Sequence, residues 1–204
     1  MNLRELAIKH GANKIWPLTA DYLDAYELFF GRLANTEIDL LEIGVESGGS
    51  LKMWHEFFPK AKITGIDIDK ECRKFACERI EIITGDQGDR GFIEEFAKDK
   101  SFDIVIDDGS HKVEHQRSCF KRLWNTVKSG GFYVVEDLHT SYWPKWGGKY
   151  GGSNTMVEYL KTIFDNINHK AVSHEKAEGH KTQLTPMGAR SIHIYSGICF
   201  IERE

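Results

Sequence analysis

The chain has 204 residues, 41% hydrophobic and 28% charged, with a formal net charge of −4. One globular domain with a full core is the prior for that length, and the mild acidity, with no basic block, argues against nucleic acid as a partner. No apolar run reaches the roughly 20 residues of a membrane-spanning helix, and Met1-Asn2-Leu3-Arg4-Glu5-Leu6 lacks the apolar core of a signal peptide. The four cysteines, Cys72, Cys77, Cys119 and Cys199, show no CxxC or zinc spacing, which predicts reduced thiols in a cytoplasmic protein.

Residues 1–35 read as an N-terminal helical segment and residues 36–204 as the main domain. Thr19 after Pro17 is an N-cap signal, and Tyr22, Tyr26, Phe29, Phe30 and Leu33 recur at helical spacing. That predicts a helix packed on the main sheet; covering a ligand or pairing subunits as a homo-oligomer are the alternatives. Ile38-Asp39-Leu40-Leu41-Glu42-Ile43-Gly44 reads as the first buried strand. It runs into the turn Val45-Glu46-Ser47-Gly48-Gly49-Ser50, followed by a helix from about Ser50 to Phe58 that Pro59 limits. Strand, glycine turn and helix make a nucleotide-type cradle, because only glycine lets a ligand approach the backbone closely. Neither GxGxxG nor GxxxxGKS/T is present, so the cradle suits a nucleoside rather than a triphosphate.

Ile63-Thr64-Gly65-Ile66-Asp67-Ile68-Asp69 is the second strand, and an acid at its end, Asp67, suits hydrogen bonds to two ribose hydroxyls. Ile80-Glu81-Ile82-Ile83-Thr84 is the third. After it, Asp86 or Gln87 can read an adenine edge, and Asp89 can cap a helix holding Phe92, Ile93 and Phe96. Asp103-Ile104-Val105-Ile106-Asp107-Asp108-Gly109-Ser110-His111 is a buried strand ending in a polar loop. The pattern returns in Phe132-Tyr133-Val134-Val135-Glu136-Asp137. If these two runs are parallel neighbours, their ends lie roughly 5 Å apart and gather Asp107, Asp108, Glu136 and Asp137 at one spot with His111 above it. Clustered carboxylates repel unless a proton or a cation intervenes, which points to an oxygen-ligand metal site with a general base beside it.

Between those runs, Val113, Phe120, Leu123, Trp124 and Val127 mark an amphipathic helix that Ser129-Gly130-Gly131 closes. His115 is expected on the helix surface, and His139 is a lesser base candidate. The segment from Leu138 to Gly152 is too glycine-rich for a helix and too aromatic for a linker, and loops of this kind commonly carry function. Asn154 to Ile167 resembles another helix, and residues 168–190 read as polar and irregular, with His169, His174 and His180 at the surface. Ser191-Ile192-His193-Ile194-Tyr195 and Ile198-Cys199-Phe200-Ile201 flank Ser196-Gly197, a hairpin signal. The whole predicts an α/β fold, a doubly wound Rossmann-like seven-stranded sheet, mostly parallel, with a C-terminal antiparallel hairpin.

Leu41-Glu42-Ile43-Gly44 with Gly48-Gly49-Ser50, Asp67, and Gly85-Asp86-Gln87 resemble the cofactor motifs of the class I S-adenosylmethionine-dependent methyltransferases. That resemblance implies cofactor contacts at Glu42, Gly44, Gly48, Ser50, Asp67, Asp86 and Gln87. Asp107 is assigned to the cofactor side, with capping of the following turn as its simpler role. Asp107-Asp108-Gly109-Ser110-His111 followed by Glu136-Asp137-Leu138-His139-Thr140-Ser141-Tyr142-Trp143-Pro144 is similar to the metal-dependent sugar O-methyltransferases of antibiotic biosynthesis, of the mycinamicin and rhamnosyl-tetracenomycin type. This narrower resemblance implies magnesium ligands at Asp108, Glu136 and Asp137, replaceable by manganese, and a catalytic base at His111. The acceptor implied is a sugar hydroxyl on a small molecule, with Tyr142, Trp143, Trp146 and Tyr150 stacking on it and the loop closing over it. A methyltransferase acting on an amine or a small phosphorylated alcohol, a nicotinamide-dependent oxidoreductase, and a non-catalytic cofactor-binding protein are the rivals.

Overall fold

The computed structural model describes residues 2–14, 22–172 and 187–204, with the backbone alone for 169–172. Strand β1 (Asp39–Ile43) lies near the middle of a seven-stranded sheet. On one side come β2 (Lys62–Asp67) and then β3 (Ile80–Thr84); on the other come β4 (Phe102–Asp107) and then β5 (Val127–Val135), all parallel. The chain returns in a hairpin, β6 (Ala189–Tyr195) and β7 (Ile198–Arg203), with β7 antiparallel to β5. This is the doubly wound sheet with a terminal hairpin that the strand pattern predicts. Gly197, at φ 83°, supplies the left-handed residue of its two-residue turn.

Period-two alternation gives the sheet two apolar faces. Leu40, Ile104, Ile106, Phe132, Val134 and Phe200 face one side, where α1 (Leu3–His10), α2 (Tyr22–Phe30) and α3 (Gly49–Phe57) cover them. Leu41, Ile43, Val105, Tyr133, Val135 and Cys199 face the other side. They meet residues of α4 (Arg90–Ala97), α5 (Val113–Leu123) and α6 (Met156–Val172). The N-terminal segment therefore shares a core with the sheet. Asn2 opens α1 in a capping box with Glu5, and Asp89 caps α4 by accepting from the Phe92 N–H, as its position suggests. Thr19 and Pro17 lie outside the described residues, as do His174 and His180.

Three boundaries differ from expectation. The α5 helix stops at Leu123, a 3-10 turn covers Trp124–Thr126, and β5 already begins at Val127. Ser129-Gly130-Gly131 thus sits inside the strand, where the β4–β5 register shifts and Gly130 adopts φ 75°; the glycines serve a bulge, not a helix stop. The segment after β5 folds into two short 3-10 turns, Leu138–Tyr142 and Pro144–Trp146, because such turns close every three residues and tolerate flanking glycines. Finally, α6 runs to Val172 and β6 starts at Ala189, both inside the stretch 168–190 expected to be irregular; 173–186 lie outside the described residues.

Candidate active site

The strand order reverses between β1 and β4, the place where open α/β sheets bind ligands beyond the carboxyl ends of their strands. Register brings Ile43, Asp107 and Val135 level across three strands. Gly44, Asp108 and Glu136 therefore leave the sheet side by side. The ladder continues one residue further through Asp108 N–H to Ile43 O (3.0 Å) and Glu136 N–H to Asp107 O (3.0 Å). Gly44 has φ 94°, and a β-carbon there would lie 2.2 Å from the Asp108 carbonyl oxygen. Here glycine is required because a neighbouring backbone, not only a ligand, comes so close.

Asp67 organises the glycine loop. Its Oδ2 accepts from the N–H groups of Val45 (2.8 Å) and Glu46 (3.0 Å), and Oδ1 accepts from Asp69 N–H (2.8 Å). Burial alone would raise its pKa, but these three backbone donors outweigh it and hold the carboxyl below its ordinary value. The loop and Asp67 line a cavity of about 490 Å³ whose other walls are Asp86 and Gln87, the Asp108–Lys112 turn, and Glu136 and Asp137. That volume falls in the range of small-molecule and cofactor sites.

The acidic cluster on the far side of the cavity is more structured than the strand ends alone suggest. Lys14, 2% exposed, reaches in from beyond α1. Its ammonium lies 2.6 Å from Glu136 Oε1, 2.9 Å from Asp108 Oδ2 and 3.1 Å from Glu42 Oε1. Burial works against the charge, but the carboxylates of Asp108, Glu136 and Glu42 outweigh it and keep Lys14 protonated. Burial and the Asp108 charge push the Glu136 pKa up, against the pull of Lys14. Tyr26 donates to Glu136 Oε1, and the Tyr22 hydroxyl lies 3.0 Å from Asp137 Oδ1 and 3.1 Å from Gly197 O, sharing its single proton between them. Across from these, His111 Nε2 is 3.4 Å from Asp137 Oδ2. His111 (φ 56°) and Asp137 (φ 54°) are both left-handed, a conformation that costs a non-glycine residue about 1–3 kcal/mol and concentrates at functional sites. The Asp108, His111 and Asp137 ligand atoms lie within 4.8 Å of one another, as do those of Glu42, Asp108 and Glu136. The first group is open to a cation, and the Lys14 ammonium fills the second; among the described residues the expected trio of Asp108, Glu136 and Asp137 does not itself form such a group.

The expected site residues divide by position. Gly44, Ser50, Asp67, Asp86, Gln87, Asp108, His111, Glu136 and Asp137 line the cavity. Glu42 lies behind it, fully buried, accepting from Ser50 Oγ (2.9 Å) and facing Lys14. Asp107 is also fully buried. It points to the opposite face from Asp108, where Gln87 Nε2 (2.5 Å) and Tyr133 OH (3.4 Å) meet it, and burial pushes its pKa up to about 6. Gln87 in turn accepts from Ser110 N–H (2.7 Å), so Asp107 supports the turn from below. Gly48 is not a wall residue; a β-carbon there would strike the Phe75 ring. Tyr142, Trp143 and Tyr150 are 44%, 49% and 86% exposed and line neither this cavity nor the cleft that adjoins it. Trp146 borders an adjoining cleft and meets the His111 ring edge-on at 5.9 Å. His115 is not free helix surface: its Nδ1 pairs with Ser110 Oγ (2.8 Å), and it lines both spaces.

Lys14, Tyr22 and Tyr26 are the residues that sequence reading misses as parts of the site. One signal existed: tyrosines on an otherwise apolar helical stripe need partners for their hydroxyls.

A cavity at the switch point of a doubly wound sheet with a terminal hairpin defines a domain of the nucleotide-type cofactor-binding class. Residues 41–138 match the family described as Methyltransferase domain. The chain is 35% identical, over 99% of its length and 54% of the relative's, to the 8-demethyl-8-(2-methoxy-alpha-L-rhamnosyl)-tetracenomycin-C 3'-O-methyltransferase of Streptomyces olivaceus. It is 36% identical to the mycinamicin VI 2''-O-methyltransferase of Micromonospora griseorubida, over 87% of this chain and 47% of that one. Among solved structures it matches the MycE methyltransferase from the mycinamycin biosynthetic pathway, in complex with Mg, SAH and mycinamycin VI. The TM-score is 0.88 at 34% identity, over 100% of this chain and 53% of that one. The chain carries a methyltransferase domain and is similar to the sugar O-methyltransferases of antibiotic pathways. It spans about half the length of the curated relatives it matches.

Proposed function

We propose that this chain carries out methyl transfer from S-adenosylmethionine to a hydroxyl of a sugar-containing small molecule, assisted by magnesium. One observation carries the reading: a single cavity is walled on one side by the glycine loop and Asp67 and on the other by Asp108, His111, Glu136 and Asp137. The donor set fits a hard divalent cation: Glu42, Asp108 and Glu136 share the single ammonium of Lys14 among the described residues, and Asp137 lies beside them against His111. Asp108, Glu136 and Asp137 are the residues that would hold it, and manganese, which also favours oxygen ligands, should substitute. When bound, such an ion supplies a Lewis acid that makes a nearby hydroxyl easier to deprotonate.

The remaining work falls to the chain itself. Asp67 and the glycine loop hold the cofactor so that the acceptor oxygen attacks the methyl carbon in line, and this positioning supplies much of the rate. The oxygen–methyl bond forms as the sulfur–methyl bond breaks. His111 takes the hydroxyl proton at Nε2, since Nδ1 is sealed from solvent. No helix of the described residues is long and apolar enough to cross a membrane.

The cofactor half is tested by calorimetry with S-adenosylhomocysteine and NAD. The unaltered protein should bind the former, and Asp67→Ala should weaken binding by about 1.5–3 kcal/mol through lost hydrogen bonds to a charged acceptor and a loosened loop. Undiminished affinity in the variant would remove Asp67 from the site, and preferential binding of NAD would favour an oxidoreductase.

A second acceptor class is favoured by the adjoining cleft. Arg90, Lys112, Arg117, Lys121, Arg122 and Lys145 line it, against a single acid, Glu114, among the lining residues. An alcohol bearing a phosphate would fit there beside His111. Methyl transfer to a neutral glycoside against a sugar phosphate separates the two classes.

A further inference from the structure

We infer that the segment preceding the sheet supplies the outer shell of the cation site, with Lys14, Tyr22 and Tyr26 as positioning residues that between them hold one oxygen of each metal-binding carboxylate. This rests on the metal reading above. Lys14 takes Asp108 by Oδ2 and Glu136 by Oε1, Tyr26 takes the same Oε1, and Tyr22 takes Asp137 by Oδ1. Held on one oxygen by a fixed donor, each carboxylate keeps a second, Asp108 Oδ1, Glu136 Oε2 and Asp137 Oδ2, the last beside His111 Nε2; Asp108 is the member shared by the two close ligand groups, one with His111 and Asp137 and one with Glu42 and Glu136.

The holders are themselves fixed. Tyr26 is fully buried, its ring edge-on to Trp54 (5.0 Å) and Phe200 (5.2 Å). A phenol clamped so deeply in an aromatic core has one direction in which to point its hydroxyl, and Glu136 is there. Tyr22 packs against the β6–β7 turn so closely that a β-carbon on Gly197 would lie 2.4 Å from its hydroxyl oxygen. The same turn receives Leu138 N–H at Gly197 O (2.9 Å), which ties it to the residue after Asp137. Lys14 adds a third tie, through Glu42 to Ser50 at the start of α3. One ammonium and two phenols thus fix the side chains at the ends of β4 and β5 to α2, the hairpin and the cofactor loop. Outer partners of this kind set ligand orientation, and losing one typically costs about 10–100-fold in metal affinity or activity.

The test uses charge-neutral deletions of single hydroxyls, Tyr22→Phe and Tyr26→Phe, in the full chain. Manganese is the probe, counted as free ion by electron paramagnetic resonance, with S-adenosylhomocysteine affinity measured in parallel by calorimetry. Each variant should bind manganese about 10–100-fold more weakly and S-adenosylhomocysteine as tightly as the unaltered protein. Equal manganese affinity in both variants overturns the inference, and so does a parallel loss of both ligands, which is what a general loosening of the fold would give. If the unaltered protein binds no manganese, the metal reading fails and takes the inference with it. If Tyr26→Phe does not fold, Tyr22→Phe decides alone.

Discussion

Replacing Lys14 by methionine is expected to lower folding stability by about 3–5 kcal/mol in the metal-free protein, the usual cost of breaking a buried ion pair by removing one partner. Methionine matches the stem of the side chain, so little packing is lost. What is lost is, among the described residues, the only ammonium within 3.1 Å of Glu42, Asp108 and Glu136, two of which are fully buried among apolar strands. Those carboxylates must then take up protons or repel one another. Denaturant unfolding of the metal-free protein measures the loss. Lys60→Met, at an exposed position, is the control; a loss at Lys14 no larger than at Lys60 would show that the ammonium does not bind the cluster together.

The sheet was readable because its signals are local. Apolar runs of five or six residues end in acids or glycines, and each was met by a strand within a residue or two, apart from the early start of β5. Alternation also carried information that pairing by sequence overlooks. Consecutive strand residues point to opposite faces, so Asp107 and Asp108 could not both enter one cavity; Asp108 does, and Asp107 goes beneath to Gln87. Glu42 follows the same logic. Lys14 was not legible, since nothing in Gly11-Ala12-Asn13-Lys14 separates a buried lysine from a solvated one. Its partners lie 28, 94 and 122 residues away, and only the folded chain brings them together. The aromatic loop, whose composition suggests an acceptor platform, sets its rings against one another and toward solvent, as in the Tyr142–Tyr150 contact at 6.0 Å, with Trp146 beside His111.

Asp108→Ala should abolish turnover while leaving S-adenosylhomocysteine affinity nearly intact. The cofactor loop is held by Asp67, whereas Asp108 belongs to the acidic cluster and accepts from Lys14. His111→Ala should cost roughly 10²- to 10⁴-fold in turnover, the range for loss of a positioned general base, and should still bind manganese. Both losses should fall on kcat, not on cofactor affinity. The left-handed backbone at His111 (φ 56°) makes His111→Asn the better-tolerated companion, since asparagine adopts that conformation more readily than most residues. Near-normal turnover in His111→Ala would remove His111 as the base.

The most direct measurement is methyl transfer from S-adenosylmethionine to a glycosylated acceptor by protein stripped with EDTA, then with magnesium added back. The cluster of Asp108, His111, Glu136 and Asp137 around one cavity predicts no transfer from the stripped protein and full recovery with magnesium. Full activity in the stripped protein would contradict the metal-assisted mechanism.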